Sequence, residues 1–118
     1  MKLYGIPNCN TVKKARDWLD ANGIAYDFHD FKKQGIDAAT IASWMQQYPW
    51  EKLVNRAGLT WRALSDDEKA AVNDNASAAR LMQTKHSVIK RPVLESEGRI
   101  LALGFDADRY RAATGGDR

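Results

Sequence analysis

One cysteine stands among 118 residues, so no internal disulfide can form. Histidine is nearly as scarce. His29 and His86, with a single thiol, supply too few nitrogen and sulfur donors for a three- or four-ligand zinc site. No apolar run approaches the roughly 18 residues of a membrane span, and the opening MKLYGIPNCN lacks the apolar stretch of a signal peptide. These absences lead to the expectation of a cytoplasmic, reducing compartment with no membrane partner. Neither G-x-x-x-x-G-K-[ST] nor G-x-G-x-x-G occurs, which argues against a nucleotide cofactor. The net charge is +3, but Lys and Arg are scattered and never form a dense run, so nucleic acid is not an expected partner. Trp18, Trp44, Trp50 and Trp61 are spread over separate segments, a pattern of packing rather than of a base-stacking face.

The composition, 44% hydrophobic and 28% charged, is that of one globular domain. A chain of this size buries roughly two-thirds of its unfolded surface, enough to form a core without staples. KLYGI, residues 2 to 6, predicts a strand, and AYDFHDF, residues 25 to 31, alternates with Tyr26 and Phe28 on one face. Between them Val12, Ala15, Trp18 and Leu19 recur at helical spacing. Asn10 or Thr11 can cap this helix, and Gly23 suits the left-handed position that ends it. Strand, helix, strand predicts a parallel βαβ unit.

The middle of the chain predicts helices. Asp37 caps AATIASWMQQY with Ile36 stapled onto Ile41, and Thr60 begins a short turn at WRAL. SDDE, residues 65 to 68, has the spacing of a capping box, and the helix dipole accounts for its acidic cluster without a catalytic role. A further helix runs from about Asn75 to Lys85, with Leu81 and Met82 inward. PVLESEGRILALG, residues 92 to 104, predicts two strands joined at SEGR, with Glu97 and Gly98 in the turn, and DADRYRAA predicts a final helix. The order βαβ, helices, ββα is that of a thioredoxin-like α/β core holding an all-helical insertion.

Within this order Cys9 falls in the loop before the first helix. Unpaired backbone N–H groups and the positive end of the helix dipole stabilise an anion there, which lowers a thiol pKa from about 8.5 into a range of roughly 3.5 to 7.5. Lys13 and Lys14 occupy the first turn, where a helix alone prefers acids, so they suit a nearby negative charge. Pro7, Asn8 and Asn10 describe a polar loop rather than the apolar surroundings of an inert cysteine. Asn8 and Asn10 can also donate to the sulfur or cap the helix.

Three segments, YGIPNCNTVKKARDWLDANGIAYDFHDFKKQGI, NRAGLTWRAL and IKRPVL, resemble the arsenate reductase (ArsC/Spx) family of the thioredoxin superfamily, and in particular its small YffB-like subgroup. The resemblance runs from about residue 2 to residue 112 in the same order. It implies a thioredoxin-like core over residues 1–34 and 87–113 and a helical insertion over 35–86 within one ArsC-like domain, and TGGDR, residues 114–118, reads as a flexible tail. It implies further that Cys9 is the nucleophile, that Arg56 and Arg91 line its site, with Asn8, Asn10, Thr11 and Lys13 nearby, and that the Arg91–Pro92 bond is cis. Two departures stand out. Regulators of the family commonly carry C-x-x-C, whereas the third position after Cys9 is Val12. Glutaredoxin-coupled arsenate reductases have a third arginine after the final hairpin, where this chain reads Leu103, Gly104 and Phe105.

With one thiol in the chain, any mixed disulfide on Cys9 must be resolved by an external thiol, either glutathione as co-substrate or glutaredoxin. The expected protein is therefore a monomeric thiol reductase with no tightly bound cofactor, acting on a small oxyanion or disulfide. Arsenate reduction is a second expectation. The third is an Spx-like regulator that docks on RNA polymerase without turnover.

Overall fold

In chain order, the computed structural model describes residues 1–115. They form β1 (Lys2–Gly5), α1 (Asn10–Ala21), β2 (Asp27–Asp30), α2 (Phe31–Gln34), α3 (Ala38–Gln47), α4 (Trp50–Leu53) and α5 (Leu59–Arg62). α6 (Asp66–Ala70), α7 (Asn75–Thr84), a 3-10 turn at His86–Val88, β3 (Val93–Ser96), β4 (Arg99–Leu103) and α8 (Ala107–Thr114) follow. The chain divides into two compact units, residues 1–34 with the stretch from 91 onward, and residues 35–90.

The first unit is a four-stranded mixed sheet of order β2-β1-β3-β4. β1 and β2 are parallel, with Leu3 opposite Phe28 and Gly5 opposite Asp30, as the βαβ pattern predicts. β3 lies antiparallel on the other side of β1, with Leu94 opposite Leu3. Leu3, Leu94 and Ala102 on one face of the sheet bury against Ala15 and Leu19 of α1 and Tyr110 of α8. Trp18 and Phe105 meet the Tyr110 ring edge-on at centroid distances of 5.8 and 4.9 Å, so Trp18 belongs to packing.

α1 stops where its sequence says it should. Gly23, at φ 66°, donates its N–H to the Asp20 carbonyl at 3.1 Å, and Ile24 donates to Leu19 at 3.0 Å. This pair is a Schellman motif, and Ile24 completes it by packing on the cluster that holds Leu19. In the β3–β4 hairpin Ser96 pairs with Arg99, so Glu97 and Gly98 form a two-residue loop with φ of 52° and 81°. Two left-handed residues define a type I′ turn, which matches the twist of the strands.

The second unit is helical apart from one isolated bridge between Val54 and Ile89, which the expectation of an all-helical insertion did not include. α3 packs on α7, and Ile41, Trp44, Leu53, Val54, Met82 and Ile89 are buried. Isolated helices shorter than about 12 residues are marginal in water, so the ends of these are tied down. Asp37 accepts from the Thr40 N–H at 2.8 Å, and the Ser65–Glu68 capping box is present, with reciprocal bonds of 3.1 and 2.8 Å. A second reciprocal pair, Asp74 with Ser77, starts α7. No helix among the described residues is long and apolar enough to cross a membrane.

Several boundaries differ from expectation. Phe31 leaves β2 to open α2, because the buried Asp30 carboxylate accepts the Lys32 N–H at 2.9 Å and turns the chain. Gly58, not Thr60, precedes α5; Thr60 lies inside it, with its hydroxyl 2.8 Å from the Ser87 hydroxyl. Residues 87–90 fall in the second unit, since Asn55 N–H donates to the Val88 carbonyl and Lys90 N–H to Leu53. Met82 is fully buried but Leu81 only half-buried. Thr114, placed in the expected tail, ends α8 with Gly115 as its left-handed cap; residues 116–118 of that tail lie outside the described residues.

Glutamate in the left-handed region costs about 1 kcal/mol that asparagine or glycine avoids. Replacing Glu97 with Asn, to give Asn-Gly, should therefore raise the urea unfolding midpoint by an amount equivalent to roughly 0.5–1 kcal/mol. An unchanged or lower midpoint would refute this reading of the turn.

Candidate active site

β1 ends at Gly5, and a Cβ there would lie 2.8 Å from Cγ2 of Val12. Only glycine lets the first turn of α1 approach the end of the strand so closely, and Val12 is fully buried in that contact. Four residues cross from β1 to α1, and the last of them is Cys9. It is itself the N-cap, with extended backbone at φ −112° and ψ 126°. Its carbonyl accepts the Lys13 N–H at 2.9 Å, while Asn10 and Thr11, the expected caps, lie inside the helix.

Partial burial by itself would push the Cys9 thiol up. Four attractions outweigh it: the Val12 N–H, the Thr11 N–H, the positive charge of Arg91 and a hydrogen bond from the Arg91 side chain. The thiol is held below its ordinary range as a result. The sulfur makes no capping hydrogen bond of ordinary geometry, so these amides act on it as the positive ends of dipoles rather than as a tight cap. Arg91 arrives from the start of β3. Its peptide bond to Pro92 is cis, and the buried Pro92 carbonyl accepts the Gly104 N–H at 2.8 Å.

The other expected residues divide. Thr11 contributes its backbone, not its hydroxyl. Lys13 pairs with Asp17 at 2.7 Å, both ends well exposed, and is not among the groups that lower the thiol pKa. Asn8 accepts a hydrogen bond from Lys32 Nζ at 3.2 Å. Asn10 is exposed in the first turn. Arg56 belongs to the second unit, where its exposed guanidinium lies 5.8 Å from the Trp50 ring centroid. The loop carrying it is fixed by Asn55, whose Oδ1 accepts the Ala57 N–H and whose carbonyl accepts the Gly58 N–H. A Cβ on Gly58 would lie 3.0 Å from the Asn55 side-chain nitrogen and 3.3 Å from the Asn55 carbonyl oxygen, a tight fit that favours glycine in this turn.

Among the described residues no group of three or more His, Cys, Asp and Glu side chains could hold a metal ion. The Val12 amide and Lys32 were not singled out from sequence. An amide donor has no side-chain signature, and Lys32 becomes visible only once β1 and β2 are known to be parallel neighbours.

The ArsC family model matches residues 4–113. An uncharacterised protein of Haemophilus influenzae is 36% identical over 111 residues, covering 94% of this chain and 96% of its own. The global transcriptional regulator Spx of Lactiplantibacillus plantarum is 24% identical over 113 residues, covering 92% of this chain and 82% of its own. Among solved structures, the YFFB protein is 49% identical with a TM-score of 0.89, over 95% of this chain and 96% of that one. An arsenate reductase (ArsC) related protein from Brucella melitensis is also 49% identical, with a TM-score of 0.75, over 94% of this chain and 91% of that one. With its thioredoxin-like mixed sheet and this match along nearly its whole length, the chain belongs to the ArsC family.

Proposed function

We propose that the protein is a glutathione- or glutaredoxin-dependent thiol reductase with Cys9 as its one nucleophile. The observation that carries this reading is the arrangement at the sulfur: two helix N-terminal amides and one guanidinium lower the pKa of the only thiol in the chain. The Cys9 thiolate attacks one sulfur of a disulfide; a new S–S bond to Cys9 forms and the other half leaves as a thiolate. An external thiolate then attacks the mixed disulfide, takes the substrate sulfur into a new disulfide and returns Cys9 as thiolate. Arg91 holds the negative charge at the start and end of this cycle. Arg56 presents an exposed guanidinium fork suited to a carboxylate or oxyanion.

Arsenate reduction is the weaker enzymatic reading, although the Brucella relative is described as arsenate reductase (ArsC) related. Where the resemblance calls for a third arginine, Phe105 meets the Tyr110 ring edge-on and Gly104 adopts φ 77°. The Spx relatives favour a second reading of another class, a regulator that docks on RNA polymerase. Val12 gives such a regulator no internal disulfide switch.

Exposure to oxidised glutathione should add one glutathionyl group, visible by intact mass, and Cys9→Ser should abolish it. No adduct under conditions that modify other active thiols would sink the reductase. Polymerase recovered with the protein and still recovered with Cys9→Ser would support the regulator instead.

The pH dependence of iodoacetamide labelling should have its midpoint below the ordinary thiol value of about 8.5, and Arg91→Met should move it upward. The sign for stability follows from the same shift. A group whose folded-state pKa is depressed contributes fully above its unfolded pKa and loses that contribution as pH falls through the folded value. Cys9→Ser should therefore flatten stability against pH in that window; an unshifted labelling midpoint would contradict the site as described.

A further inference from the structure

We propose that Lys32 is a second anion-binding residue of the Cys9 site, taking a carboxylate on the thiol or disulfide that Cys9 captures. This deepens the reductase reading and rests on Cys9 being its nucleophile. Because β1 and β2 are parallel and Gly5 stands opposite Asp30, the loop carrying Cys9 and the corner carrying Lys32 leave the same end of the sheet side by side. β3, antiparallel on the other side of β1, begins at that end with Val93 opposite Tyr4, which brings in Arg91. Two cations thus bracket the end of β1, Lys32 from the β2 side and Arg91 from the β3 side.

Their engagements differ. Arg91 is committed to the sulfur. Lys32 is oriented by its own backbone, since the Asp30 carboxylate holds its N–H at 2.9 Å, and its ammonium reaches back 24 residues to Asn8 Oδ1, the side chain just before Cys9. Among the described residues that ammonium meets a neutral amide and forms no ion pair, whereas Lys13 is neutralised by Asp17. An ammonium has three donors, so one bond to Asn8 leaves two, with the full charge, at the residue that precedes the nucleophile. A molecule joined to Cys9 through sulfur and carrying a carboxylate a few bonds away finds a partner there. A neutral or cationic one does not.

Two alkylating reagents separate charge recognition from reactivity. With iodoacetate, an anion, and iodoacetamide, its neutral counterpart, the Cys9 thiolate attacks the methylene carbon and iodide leaves in both cases. Lys32→Gln should lower the ratio of the iodoacetate to the iodoacetamide rate by about 1.5- to fivefold, the scale of an exposed charge pair, and the effect should shrink at high salt. Lys32→Arg should keep the ratio, and Lys33→Gln should leave it unchanged. The same pattern is expected with disulfides: Lys32→Gln slows the reaction with oxidised glutathione and not that with cystamine. An unchanged ratio would overturn the proposal. So would an equal fall in both rates, which marks Lys32 as a support for Asn8 alone. The iodoacetamide rate of the unaltered protein tests Cys9 separately: an ordinary, unactivated rate would remove the reductase reading whatever the ratio shows.

Discussion

A helix begins with four N–H groups that have no acceptor inside it, and at most N-caps an oxygen of Ser, Thr, Asp or Asn takes one of them. In this chain a sulfur occupies that place. Sulfur is a poor neutral acceptor but a good anionic one, so the site favours the deprotonated thiol through the very amides a neutral cap would satisfy poorly. The preference survives partial desolvation because Arg91 adds a full charge to the partial charges of the helix. Everything else near Cys9 can be understood as holding those three donors in place: Gly5 admits Val12, Val12 seats the first turn, and the start of β3 delivers Arg91.

That arrangement limits the chemistry as much as it permits it. Val12, which stands where a second cysteine would complete C-x-x-C, is fully buried against the end of β1. A thiol at that position would be enclosed by apolar atoms, where burial raises its pKa and slows attack on a neighbouring disulfide. The packing that positions the Val12 amide thus uses the side chain a resolving cysteine would replace. On the proposed mechanism the second thiol comes from outside, and the cation at Lys32 gives such a thiol a reason to be anionic.

Much of this was legible in the sequence because the signals are local. Gly23 ends α1, Ser65 and Glu68 form their box, and Glu97 with Gly98 turn the hairpin, each within a few residues of chain. Cys9 could be placed near the helix start by the same local reasoning, though one residue away from its true role as the cap. What escaped depends on side-chain contacts that no motif announces. Lys13 reads as a cation for the thiolate until Asp17, one turn on, is seen to take it. Lys32 carries no motif of its own. Its relevance comes from the parallel pairing of β1 and β2 and from a bond to Asn8 across 24 residues. The short helices α2 and α4 and the turn at His86–Val88 lack the periodic stretch that sequence reasoning needs, and they form because their ends are held by neighbours.

The far end of the hairpin bears on the proposed preference for a disulfide over arsenate. Residues 103–105, where the resemblance calls for a third arginine, are used here for packing: Phe105 meets Tyr110 edge-on, and the Tyr110 hydroxyl donates to the Gly104 carbonyl at 3.3 Å. Tyr110 is fully buried, and its phenol is driven well above its ordinary range by that burial. A guanidinium in place of Phe105 would have to leave this cluster for solvent or remain in it unpaired, and the second course costs several kcal/mol. Stability of α8 against the sheet therefore competes with a third charge for the oxyanion. An oxyanion with three negative oxygens would feel the loss of that donor most. A disulfide, which carries its charge in a distant carboxylate and passes it to a leaving thiolate, needs charge at the sulfur and at the periphery. Arg91 and Lys32 supply charge at those two places.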